Sequence, residues 1–80
     1  MVDWTAIGGS TAISAIGIEH VDAEIVPPPP ARIHVRFKRG RTYVYEVGPR
    51  AYYDKFVEAA SKGRFYVFVI KERFDYIAKY

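Results

Sequence analysis

The chain has no cysteine, and only one tryptophan and one methionine among its 80 residues. Without cysteine there is no disulfide framework, no thiolate metal site and no cysteine nucleophile. The absence fits a reducing compartment, or a chain that avoids thermolabile side chains. His20 and His34 are far apart and poorly partnered, so no metal and no cofactor is expected. No run approaches the ~18 apolar residues of a membrane span. The N-terminus lacks the basic start and long apolar core of a signal peptide. The expectation is a soluble, cytoplasmic protein with no membrane partner. Positive charge is also missing from one part of the chain. Residues 1–30 carry Asp3, Glu19, Asp22 and Glu24 but no Lys or Arg.

All twelve Lys and Arg therefore fall in residues 31–80, against five acidic residues there. Such asymmetry suits a polyanionic partner, typically nucleic acid. It equally suits a small domain whose acidic and basic parts pack together or simply stay soluble. Half the residues are apolar, which excludes a disordered tail. Eighty residues make one domain, 1–80, with a modest core. The seven Tyr, five Phe and one Trp offset that small size, since each ring buries roughly 150–250 Å².

Residues 1–5 read as a frayed start and Gly8-Gly9 as a break. Residues 11–18 read as a first strand, although Ile13, Ile16 and Ile18 do not alternate cleanly. Val21, Ala23 and Ile25 alternate with Asp22 and Glu24, suggesting another strand. Pro27–Pro30 fits neither sheet interior nor helix and makes residues 19–31 a stiff, proline-rich insertion or connector. A docking role for the prolines is the weaker alternative. Residues 32–37 alternate strictly and residues 42–47 return, giving a β-hairpin over 32–47. Pro49 begins a helix of about 49–61, with Tyr52, Tyr53, Phe56, Val57 and Ala60 as its apolar stripe. Gly63 would supply its left-handed cap. Residues 65–70 are dense in β-formers and read as a strand; residues 71–80 are left open between helix and strand.

The hairpin register sets which face carries the tyrosines. If Arg39-Gly40 is the turn, Arg36 faces Tyr43 and His34 faces Tyr45. Arg32, His34, Arg36, Tyr43 and Tyr45 then form an aromatic, cationic platform of the kind that stacks bases and tracks phosphates. If the loop is Lys38-Arg39-Gly40, Val35 faces Tyr43, Ile33 faces Tyr45, and both tyrosines join the core. Both registers remain open, with a slight preference for the first. In either, Lys38, Arg39 and Arg41 make a basic tip.

Several segments, taken in order, match a known pattern: Ser10-Thr11-x-Ile13 with Ala15-Ile16-Gly17-Ile18; Ile33-x-Val35-x-Phe37-x-x-Gly40-x-x-Tyr43-x-Tyr45-x-Val47; Tyr53-x-x-Phe56-x-x-Ala59-x-Ser61-Lys62-Gly63; and Phe65-Tyr66 with Ile70. Together they resemble the KTSC domain, a short domain named after the C-terminal end of certain lysyl-tRNA synthetases. Tyr43-Val44-Tyr45 corresponds to its Tyr-x-Tyr hallmark. The resemblance implies no settled activity, and its synthetase connection suggests RNA binding. This chain departs from the pattern by its proline-rich insertion and by the apolar Val67-Phe68-Val69.

Hidden chemistry is not expected. Gly8-Gly9-Ser10 lacks the spacing of a phosphate loop, and Ser10 and Ser61 have no nucleophile context. The protein is therefore read as a non-enzyme without a small-molecule substrate. The expected fold is α+β: a small antiparallel sheet of three to four strands, one main helix packed on one face and a C-terminal strand. The expected function is RNA or other nucleic-acid binding. Arg32, Arg36, Lys38, Arg39, Arg41, Lys62 and Arg64 would meet phosphates, and Tyr43 and Tyr45 would stack bases. The alternative is a protein-interaction or self-assembly module, such as a homodimer, through the apolar 65–70 segment. The size and tyrosine content also suit a small viral accessory protein.

Overall fold

Period-two patterning builds the central strand of the sheet, residues 32–37. The computed structural model describes residues 2–19, 31–48 and 50–80. Its strands are β1 (Val2–Ala6), β2 (Ile13–Glu19), β3 (Arg32–Phe37), β4 (Thr42–Glu46) and β5 (Tyr76–Lys79). They form one antiparallel sheet in the order β1-β2-β3-β4-β5. Between β4 and β5 lie the helices α1 (Ala51–Glu58), α2 (Lys62–Phe65) and α3 (Tyr66–Lys71), the last a wide π-type turn. The α+β expectation holds, with five strands instead of three or four and a main helix of only eight residues. Of the connector expected over 19–31, Glu19 ends β2 and Ala31 pairs with Val47 and Gly48, while residues 20–30, with the strand expected around 21–25, lie outside the described residues, as does Pro49.

One sheet face carries the core. Ile13, Ile16 and Ile18 from β2 meet Ile33 and Val35 from β3, and Tyr45 and Val47 from the fourth strand and its end. Tyr53 and Phe56 of α1, and Tyr66 and Ile70 of α3, close over them. Phe56 is fully buried and stacks on Phe65, with ring centroids 5.1 Å apart, which ties α1 to α2. The uneven isoleucine spacing has a local cause. The β2–β3 register shifts between Ile13 and Ala15, so Ser14 is an extra residue in a bulge. Its hydroxyl donates to the Arg36 carbonyl at 3.2 Å. The bulge lets Ile13, Ile16 and Ile18 all face inward.

The N-terminal segment is an edge strand, not a frayed start. Val2–Ala6 pairs along β2 from Val2↔Glu19 to Ala6↔Ala15. Gly17 makes this possible. A Cβ there would lie 2.6 Å from Val2 Cγ1 and 3.0 Å from the Trp4 ring. Trp4 thus crosses the second sheet face, meets His34 edge-on at 5.8 Å, and receives the Arg36 guanidinium at 4.1 Å from its ring centroid.

The C-terminal third differs most from its sequence pattern. Ala59 is extended at ψ 135° and ends α1, so the helix stops before Ala60. Ser61 then begins a new helix, its Oγ accepting from the Arg64 N–H at 3.3 Å. Gly63 lies inside α2 and has no positive φ; it is not a cap. Residues 65–70 are helical, not a strand. Tyr66 and Ile70, four apart, are buried while Val67 and Phe68 face outward. That helical periodicity outweighs the β-propensity of the run. The C-terminal strand lies instead at Tyr76–Lys79, against β4.

Candidate nucleic-acid interface

The hairpin tip organises the site. Phe37 N–H donates to the Arg41 carbonyl at 2.8 Å, and Gly40 N–H to the Phe37 carbonyl at 2.9 Å. Gly40 has φ +102°, a conformation that glycine adopts without strain. The loop is therefore Lys38-Arg39-Gly40, with Val35↔Tyr43 and Ile33↔Tyr45 as cross-strand pairs. This overturns the preferred platform register. Tyr43 and Tyr45 sit on the core face, while Arg32, His34 and Arg36 sit on the other.

The other face is a self-satisfied network. The buried His34 is 2.7 Å from Glu19 Oε1. Arg32 lies 3.8 Å from Glu19 and 3.3 Å from Glu46. With Arg36 on Trp4, the two arginines predicted to meet phosphates are already engaged by carboxylates or a ring.

The tyrosines instead open onto a cleft of about 780 Å³ between the hairpin tip and the segment around β5. Tyr45 and Tyr66 lie at its floor, and their hydroxyls share a buried 2.6 Å hydrogen bond in which either can donate. Phe37 meets Tyr66 edge-to-face at 5.1 Å and Tyr43 at 5.7 Å. Tyr43 meets Tyr76 at 5.1 Å. Each ring thus fixes the tilt of the next. Phe74 lines the same cleft and is braced by Tyr52 at 5.6 Å. Lys38, Arg39, Arg41 and Lys71 add four cations against one carboxylate, Asp75. These five charged side chains are all exposed.

Burial pushes the Tyr45 phenol well above its ordinary range, and the bond to Tyr66 and neighbouring tyrosines push the same way. Burial also raises Tyr66, with the Tyr45 hydrogen bond acting in the opposite sense. Both phenols are neutral at physiological pH. They can exchange hydrogen bonds but are poor nucleophiles or bases.

Five of the predicted residues therefore come together: Lys38, Arg39, Arg41, Tyr43 and Tyr45. Tyr45 is 3% exposed and belongs to the floor, not to a stacking surface. Lys62 and Arg64 lie elsewhere; Lys62 Nζ donates to the Ala59 carbonyl at 2.6 Å and Arg64 is exposed on α2. Lys71, Phe74, Asp75 and Tyr76 are additions that the linear pattern did not mark. Their signal was present in the cluster of aromatics and charges at 71–76, but it needed β5 to be placed beside β4.

No curated protein matches the chain. The crystal structure of a KTSC domain protein from Yersinia pestis is similar over 100% of this chain and 96% of that one, with 27% identity and a TM-score of 0.71. The KTSC domain family matches residues 30–74, which span the hairpin and all three helices. By that match, covering more than half of its length, the chain belongs to the KTSC domain family.

Proposed function

We propose that this domain is a nucleic-acid-binding module, with RNA as its ligand, and that the aromatic cleft with its basic rim is the binding site. One observation carries the reading: four cations surround a concave surface of tyrosine and phenylalanine rings. Cations supply phosphate attraction and rings supply sequence-tolerant stacking. The neutral tyrosine pair leaves the positive field of the rim uncompensated from below. The test is an NMR titration of labelled protein with short single-stranded RNA at low and moderate salt. Shifts should concentrate at residues 38–45, 66 and 71–76 and shrink as salt rises. Shifts confined to Arg32, His34 and Arg36 would move the site to the other sheet face and defeat this assignment.

A second reading is supported by a different observation. Val67 and Phe68 are 40% and 57% exposed on α3, a surface that suits a protein contact or a homodimer. Because this segment is helical, such a contact would use a helix face and not strand addition. Sedimentation would then show a dimer that Phe68→Glu converts to monomers. Sedimentation as a monomer across micromolar concentrations would remove this reading.

A further inference from the structure

We infer that the cleft takes an unpaired base, so that the domain selects single-stranded RNA over duplex, with Tyr76 as the stacking ring. This rests on the reading of the cleft as a nucleic-acid site. Three features lead to it.

The first is concavity. The rings of Tyr43, Tyr45 and Tyr66 line a recess and not a ridge. The bases of an A-form duplex are stacked inside, and its outer surface offers phosphates and hydroxyls. A paired base would have to leave its stack to reach these rings, at an energetic cost that an unpaired base avoids.

The second is ring accessibility. Tyr43 and Tyr76 are tilted 66° to one another. That geometry turns one ring's edge onto the other's face, so the pair does not close on itself. Tyr76 is the more open of the two, at 51% exposure. It is held at one end by Tyr43 and by the β4–β5 pairing, in which Tyr45 opposes Tyr76. A fixed ring with a free face is a stacking platform that costs little ordering on binding.

The third is charge placement. Three of the four rim cations, Lys38, Arg39 and Arg41, come from the hairpin tip, whereas the segment leading into β5 brings Lys71 and the opposing carboxylate Asp75, next to Tyr76. A nucleotide in the cleft would therefore turn its phosphate toward the tip. Its neutral base would turn toward Tyr76, while the phosphate avoids the like charge at Asp75.

The experiment is fluorescence anisotropy with a labelled single-stranded RNA octamer and a blunt, GC-rich RNA duplex in which each strand is itself an octamer. Three variants are compared with the unmodified protein: Tyr76→Leu, Tyr76→Phe and Arg41→Gln. The octamer should bind about tenfold or more tighter than the duplex. Tyr76→Leu, which keeps apolar bulk over Tyr43, should lose about five- to tenfold for the octamer and leave the duplex unchanged. Tyr76→Phe should retain binding, and Arg41→Gln should weaken both ligands. Equal affinity for octamer and duplex, with Tyr76→Leu silent, would overturn the unpaired-base inference and leave the basic-rim reading standing. Binding to neither ligand would overturn both.

Discussion

The hydroxyl pair beneath the cleft yields a quantitative stability prediction. Tyr45 and Tyr66 are 3% and 8% exposed, and their oxygens lie 2.6 Å apart. Replacing either with Phe removes one partner and strands the other hydroxyl at the cleft floor. Leaving a buried polar group unpaired costs about 1–3 kcal/mol. Because the cleft is open on one side, the low end of that range applies, about 1–1.5 kcal/mol. In a domain of this size each kcal/mol lowers Tm by about 4–8 °C. Tyr45→Phe and Tyr66→Phe should each therefore melt roughly 5–10 °C lower. The double variant removes both hydroxyls and keeps the 5.8 Å edge-to-face ring contact. It should cost less than the two single changes combined, with a coupling of about 1 kcal/mol. Urea and thermal unfolding followed by circular dichroism would measure the cycle. Single variants that melt like the parent, or strictly additive losses, would refute the argument and mean that cleft water already serves both hydroxyls.

Three further outcomes follow from the same packing. Gly17→Ala should destabilise by about 1–3 kcal/mol, because its Cβ would meet Val2 and Trp4; the sole Trp should then shift its emission toward the red as β1 loosens. Gly40→Ala should cost about 1 kcal/mol or more at the positive-φ loop position, measurable as a lower urea midpoint without a change in slope. For pH, the folded phenol of Tyr45 titrates above its unfolded value, as does Tyr66. Their contribution is complete below about pH 10 and is lost as pH rises above it. Stability should therefore fall more steeply above pH 10 in the parent than in the double Phe variant, and parallel profiles would contradict the burial of these groups.

How much of this was legible depends on how local each determinant is. The strand Arg32–Phe37 alternates strictly, and its polar side chains occupy the face opposite the helices, so its pattern was sufficient. The helix stripe was legible too, since Tyr53 and Phe56 are its buried residues. The register was not, because both loop lengths bury an apolar set. The structure resolves it through Gly40, whose positive φ suits the three-residue loop, and through the partner that Tyr66 offers Tyr45. The segment at 65–70 misled because β-propensity describes fit to a pleated surface, whereas Ser61 capping and the burial of Tyr66 and Ile70 favour a helix. Val2–Ala6 gave no strand signal of its own; its order comes from the space that Gly17 leaves for Trp4. For the site, the basic tip and Tyr43 were visible in sequence, but Lys71, Phe74 and Tyr76 join them only through the distant pairing of β4 with β5.

If phosphates are met by the rim of the cleft, affinity for RNA must depend on salt. Single-stranded RNA affinity should be measured from low to moderate salt for the parent and for Lys38→Gln/Arg39→Gln/Arg41→Gln. Four rim cations are available, and each phosphate neutralised on a single strand contributes about −0.7 to the slope of log K against log salt. The slope should be about −2 to −3 for the parent and about −0.7 for the triple variant. A parent affinity indifferent to salt, or an equal slope in the triple variant, would contradict phosphate contact at the rim.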